Sequence, residues 1–135
     1  MNILIVGGGH EVSFLADALI HRKHRVAFVN SDPDLCGKWL ERYPKSTVIH
    51  GDGTKPDVLR QAALERIDLL LALFESDAEN YVICGLAKRV LHIPKTLAYT
   101  SNPINAEALL QLGVDLVVDK VDALATSVDW VVFAN

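Results

Sequence analysis

Near its start the chain runs Asn2-Ile3-Leu4-Ile5-Val6, breaks at Gly7-Gly8-Gly9, and then repeats apolar residues at Val12, Leu15, Ala16, Leu19 and Ile20. The first run is apolar without alternation, as in a strand covered on both faces. The second pattern has helical spacing, and the basic cluster His21-Arg22-Lys23-His24 that follows suits the negative end of a helix dipole. A strand, a tight glycine turn and an amphipathic helix make a βα unit. Such a strand must find parallel neighbours and a helical layer on each side, which confines the chain to an α/β architecture.

The rest of the sequence repeats that unit. Arg25 to Val29 reads as a second strand, and Asp32-Pro33 as an N-cap with proline at the first helical position. Thr47 to Ile49 predicts a third strand, followed by the loop His50-Gly51-Asp52-Gly53-Thr54 and a short helix from about Pro56 to Ala63. The fourth strand is Asp68 to Leu73. Asp77 is the expected cap of the next helix, whose predicted stripe is Val82, Ile83, Leu86, Ala87 and Val90. Thr96 to Tyr99, a helix opened by Asn102-Pro103 and closed at Gly113, and Asp115 to Val118 complete the alternation. Asp119 opens a last helix. Right-handed crossovers then give a Rossmann-like doubly wound parallel sheet of six strands in the order 3-2-1-4-5-6, with a crevice at the carboxyl ends of strands 1 and 4. Residues 1–135 are read as one domain.

Composition excludes several function classes. A formal charge of −4, with charges scattered along the chain, lacks the basic stripe of a nucleic-acid binder. The longest apolar run, Leu69 to Phe74, is far below the roughly 20 residues that span a bilayer, so no membrane insertion is expected. The start carries neither the basic region nor the small-residue cleavage site of a signal peptide. Cys36 and Cys84 form no C-x-x-C pair, and Cys84 falls on a helix's apolar face. A cytoplasmic location is expected.

The glycine turn carries the candidate chemistry. In G-x-G-x-x-G the first glycine makes the turn, the second admits a pyrophosphate to the backbone, and the third lets helix and strand pack closely. Gly7 and Gly9 match, but Val12 stands third, where its branched side chain is expected to push the helix outward. Glu11 lies in the first turn, where a carboxylate can satisfy the helix dipole in the place a phosphate would take. His10 beside it either contacts a ligand or caps the turn. At the end of strand 2, where NAD-binding domains carry an acidic residue for the ribose, this chain has Asn30.

The order and spacing of several motifs resemble one family. They are Gly7-Gly8-Gly9, Val29-Asn30-Ser31-Asp32-Pro33, His50-Gly51-Asp52-Gly53-Thr54, Leu59-Arg60-Gln61-Ala62, Ser76-Asp77-Ala78-Glu79-Asn80, Ala87-Lys88-Arg89, Ser101-Asn102-Pro103 and Leu112-Gly113-Val114-Asp115 running on to Val118. Together they resemble the N-terminal domain of regulators of potassium conductance and Trk/Ktr-type potassium-uptake subunits, the RCK or KTN domain. The resemblance implies a non-catalytic domain that binds NAD(H) or an adenine nucleotide and reports its ligand state to a membrane potassium transporter or channel subunit. It places Gly7 and Gly9 at the phosphates, with His10 and Glu11 beside them, and Asn30 with Ser31 at the ribose. It places Asp52, Gly53 and Thr54 near the adenine, and Leu73, Phe74, Asp77 and Asn80 at the mouth of strand 4. Where the family often carries phosphate-binding arginines after strand 5, this chain has Tyr99 and Ser101. The alternative reading is therefore a degenerate Rossmann module that has lost its nucleotide and serves oligomerisation or protein interaction.

Other chemistry finds less purchase. The five histidines include no H-E-x-x-H pair, and His21 and His24 lack a third ligand, so no metal centre is expected. Asp52, Glu75 and Asp77 are expected to converge at the crevice, where relatives hold cations with acidic clusters, although capping and solvation account for Asp77 more simply. No nucleophile elbow and no Tyr-x-x-x-Lys pair is present, and 135 residues leave no second region to seat a hydride donor's substrate. Val121, Leu124, Ala125, Val128, Val131 and Val132, with Trp130 and Phe133, give the last helix an apolar stripe. It must pack on its own domain or on a partner; a homodimer or higher oligomer is expected.

Overall fold

Six parallel strands lie in the order β3-β2-β1-β4-β5-β6 in the computed structural model, which describes residues 1–134. The strands are β1 (Asn2–Gly7), β2 (Arg25–Asn30), β3 (Val48–His50), β4 (Leu69–Leu73), β5 (Lys95–Thr100) and β6 (Leu116–Asp119). The helices between and after them are α1 (Glu11–His21), α2 (Pro33–Arg42), α3 (Pro56–Ala62), α4 (Asp77–Arg89), α5 (Pro103–Gln111) and α6 (Lys120–Ala134). The strand order is the one the sequence predicts, and the boundaries move by one or two residues. β3 runs to His50 because Asn30 and His50 complete its pairing with β2.

The unbroken apolar run of β1 follows from its central place. Ile3 and Ile5 face one layer, with Val12, Ala16, Leu35 and Trp39 of α1 and α2. Leu4 and Val6 face the other, with Leu59 of α3, Ile83 and Ala87 of α4, and Leu109 of α5. Phe28 anchors the first layer by stacking on Trp39 and Tyr43, with ring centroids 4.9 and 5.3 Å away. The packing of these rings adds to their area burial.

Local signals fix the helix starts. Asp32 accepts from the amides of Asp34 and Leu35 ahead of Pro33, and Asn102 accepts from Ile104 ahead of Pro103. Asp119 accepts from Val121 and Asp122. Asp77 is not a cap. Ser76 takes that role, its Oγ accepting from the Glu79 amide, while the Asp77 carboxylate accepts from Thr100 Oγ1 and Asn105 Nδ2 at 2.8 and 2.7 Å. The buried face of α4 is correspondingly rotated to Asn80, Ile83, Cys84 and Ala87; Val82 lies outside it, 40% exposed. Ile20 likewise falls off the buried side of α1.

Val12 does not hold α1 off the sheet. It is fully buried in the first layer, and the room comes from Gly8, whose added Cβ would overlap Val12 Cγ2. The space that the fingerprint makes at its third glycine is made here one turn earlier.

On that same side of the sheet β6 is bare. Leu116 and Val118, in register with Leu97 and Tyr99 of β5, are 55% and 40% exposed. The apolar residues of α6 do not cover them: Leu124, Val128, Trp130 and Phe133 are all more than half exposed. Lys120 anchors the start of the last helix on Tyr99 and Glu75, and from Val121 to Phe133 its residues are exposed.

Candidate functional site

A cleft of about 530 Å³ opens where the strand order reverses, at the carboxyl ends of β1 and β4. This is the place where open α/β sheets bind ligands. Of the residues expected there, Gly7, Gly9, Glu11, Asn30, Ser31, Leu73 and Phe74 line it, together with Gly8.

The turn from β1 into α1 runs through Gly7 and Gly8 at φ +85° and +86°, a left-handed path that other residues avoid. The Phe74 ring lies against it: a Cβ on Gly7 would come within 2.8 Å of two of its ring carbons. Gly9 opens the way to α1, and its amide is already engaged, donating to Glu11 Oε1 at 3.1 Å. The first amides of a helix have no intrahelical acceptor and attract anions. Here the chain supplies one anion itself.

Asn30 is buried and holds two loops. Its Nδ2 donates to the Gly8 carbonyl at 3.0 Å, and its Oδ1 accepts from the Asp32 amide at 2.9 Å. Its amide thus ties the end of β2 to the glycine turn, and the exposed Ser31 is the side chain left at the rim. His50 Nε2 lies 3.0 Å from the Ser31 carbonyl, so as a donor it fixes that rim from β3.

Asn80 is also structural in its contacts. Fully buried, it exchanges two 2.9 Å hydrogen bonds with the Phe74 backbone and donates to the Tyr99 carbonyl. It does not line the cleft but sets the position of Phe74. The loop after β3 stands beside the same ring: Gly53 is buried where a Cβ would overlap Val6 Cγ1 and reach within 3.8 Å of Phe74 Cε2. Asp52 Oδ1 accepts from the amide and hydroxyl of Thr54 at 2.9 and 2.7 Å, and these bonds hold its carboxyl below the usual value of 3.8. His10 lies exposed, with no side-chain capping bond, and is not among the cleft residues.

Asp52, Glu75 and Asp77 do not converge. Asp52 is bound to Thr54, Asp77 to Thr100 and Asn105, and Glu75 to Tyr99. Among the described residues no group of three His, Cys, Asp or Glu side chains is placed to hold a metal ion.

Five lining residues were not among the expected ligand contacts: Gly8, Glu75, Ser76, Glu79 and Tyr99, although Glu75 was expected at the crevice as one of three acidic groups and Tyr99 was noted where relatives carry arginine. The topology offered a signal for Glu75, Ser76 and Glu79, since the loop after β4 and the first turn of α4 must border the switch point. Tyr99 reaches in from β5, donating to the Leu73 carbonyl at 2.9 Å and lying 3.3 Å from Glu75 Oε1. Burial, with the charges of Glu75 and Glu11 adding to it, pushes its phenol up to about 12. Lys120 Nζ sits 3.7 Å from the Tyr99 ring centroid and 3.7 Å from Glu75, so its charge is shared between those two groups.

The fit to a nucleotide is uneven. Phe74 and the Cβ-free turn offer a flat apolar surface suited to a nucleoside, whereas Asp52, Gly53 and Thr54, expected near the adenine, stand beside Phe74 without lining the cleft, the Asp52 carboxylate and the Thr54 hydroxyl bonded to each other. Glu11 stands at the glycine turn, Glu75 and Glu79 line the cleft with it, and among the described residues no lysine or arginine does.

Fold and cleft together define a Rossmann-type domain with its ligand crevice at the switch point. Sequence comparison narrows this: the TrkA-N domain family matches residues 3–120, and the chain belongs to it. It is 33% identical over 118 residues, 87% of its length, to a Trk system potassium uptake protein TrkA homolog of Methanothermobacter thermautotrophicus, of which it covers 54%. The chain thus spans about half of that relative, and it covers 25% and 21% of two longer Trk system potassium uptake proteins. Among solved structures, the GsuK channel bound to NAD superposes with a TM-score of 0.72 at 25% identity, covering 87% of this chain and 21% of that one. The TrkA-N domain of the Escherichia coli inner membrane protein ybaL shares the fold, with a TM-score of 0.82 at 17% identity over 94% and 93% of the two chains. Nothing in these comparisons supports the alternative of a module that has lost its ligand.

Proposed function

We propose that this chain is a non-catalytic regulatory domain that binds NAD(H) or an adenine nucleotide and reports its ligand state to a membrane potassium transporter or channel subunit. The observation that carries this reading is the cleft itself. A left-handed glycine turn faced by Phe74 stands at the switch point of a TrkA-N domain, and a structural neighbour is a channel bound to NAD. In this reading the turn meets the phosphates and Phe74 packs on the base. The Asp52–Thr54 loop takes the base edge, and Ser31 meets the ribose while Asn30 holds the rim. No helix among the described residues is long and apolar enough to cross a membrane; in this reading the domain works at the cytoplasmic side of the membrane. Ligand binding acts by favouring one arrangement of subunits over another.

Thermal-shift measurements with NAD, NADH, ATP, ADP and AMP test it. A ligand at 100 times its Kd stabilises by about 2.7 kcal/mol, and at least one of the five is expected to raise the melting temperature. No shift with any of them at millimolar concentration overturns the reading.

A further inference from the structure

We infer that Glu11 sets the specificity of the cleft by competing with ligand phosphate, so that the site favours adenosine or its monophosphate over di- and triphosphates and the dinucleotide. The inference rests on the nucleotide-binding reading and deepens it.

The argument starts from one amide. A phosphate at the start of α1 is held by backbone N–H groups and by the positive end of the helix dipole. Glu11 Oε1 already accepts the Gly9 N–H at 3.1 Å. The other carboxylate oxygen lies on the open side of Gly9, 2.9 Å from where a Cβ would stand. Each phosphate group that enters must therefore displace this carboxylate or sit beside it. The same charge satisfies the dipole that would otherwise attract the ligand.

The rest of the cleft does not offset that repulsion. Glu75 and Glu79 line the same cleft, and among the described residues no arginine or lysine does. Lys120, which contacts two of the lining residues, is drawn to Glu75 and the Tyr99 ring. A nucleoside brings no charge to this carboxylate, and the Phe74 ring that lines the cleft offers it an apolar face with no requirement for phosphate. Charge on the ligand thus weakens binding stepwise, with Glu11 as the residue that touches the contested amide.

Calorimetric titration of the chain with adenosine, AMP, ADP and NAD tests this, with Glu11→Ala and Glu11→Gln beside the native protein. Glu11 is exposed, so both variants are expected to melt like the native chain. Native protein is expected to bind adenosine and AMP more tightly than ADP. Glu11→Ala should tighten ADP about tenfold, the scale of one charge-assisted hydrogen bond, and leave adenosine unchanged. Glu11→Gln, which keeps an acceptor for Gly9 without the charge, should fall between. Hydrogen exchange at the Gly9 amide gives a readout free of ligand: it should quicken in Glu11→Ala. Unchanged ADP affinity in Glu11→Ala, or an equal gain for adenosine, overturns the inference while leaving nucleotide binding intact. Failure of every ligand to bind any of the three proteins overturns the nucleotide reading, and this inference with it.

Discussion

Gly8 and Val12 form a pair in which each residue makes sense only with the other. Gly8 adopts φ +86°, and a Cβ there would overlap Val12 Cγ2. Replacing Gly8 by Ala therefore adds left-handed strain of about 1–2 kcal/mol to an overpacking cost of about 1–3 kcal/mol. We expect urea denaturation to show Gly8→Ala destabilised by about 2–5 kcal/mol. Shortening Val12 to Ala removes the atom that is struck. The double variant should therefore lose less than the sum of the single ones, with a coupling of about 1 kcal/mol or more. Strict additivity would mean that strain alone sets the cost of Gly8→Ala. Asn30 and Asn80 act differently: buried amides with both ends bonded fix the loops around the cleft, Asn30 from its wall and Asn80 from behind it.

Helix α6 is the element whose own contacts leave its composition unexplained. Leu124, Val128, Trp130 and Phe133 are 69%, 59%, 74% and 84% exposed, and the adjoining face of β6 shows Leu116 and Val118. Contiguous apolar surface of this kind marks an interaction site. A second copy offers the same helix and the same bare strand, which is the self-complementarity a two-fold dimer requires. We expect sedimentation velocity to give a dimer at micromolar concentration. Trp130→Glu with Phe133→Glu should shift it to monomer without lowering the helical circular dichroism of the domain. A monomeric native chain well above micromolar concentration would remove the dimer.

Across the whole molecule, the sheet's carboxyl end gathers groups whose ionisation feeds back on stability. Burial, with the charges of Glu75 and Glu11, lifts the Tyr99 phenol from its ordinary 10.0 to about 12. A group whose folded pKa is raised gives stability that is complete below its unfolded value and lost as pH rises through the folded one. Its contribution is thus present below pH 10 and disappears between pH 10 and about 12. Tyr99→Phe should flatten the stability curve in that window and delete the highest step in a spectrophotometric tyrosinate titration. An unchanged highest step would assign it to another tyrosine. Tyr43, also raised by burial, accounts for part of the remaining alkaline slope.

Much of this architecture is legible before folding because its causes are local. Apolar periodicity separates strands from helices, and Asp32-Pro33 and Asn102-Pro103 mark helix starts through bonds that span two or three residues. The alternation of elements, with right-handed crossovers, leaves the order β3-β2-β1-β4-β5-β6. The glycine turn likewise locates the crevice, and Glu11 beside Gly9 is a neighbour in sequence as in space. What tertiary structure alone decided is which distant groups meet. Asn30 is claimed by Gly8, and Asn80 by Phe74 and Tyr99; Asp77 leaves the capping role for Thr100 and Asn105. Tyr99 and Glu79 enter the cleft, and α6 is left bare. A side chain's hydrogen-bonding capacity is written in its residue type, but the partner that satisfies it is chosen only when the sheet brings separate strand ends together.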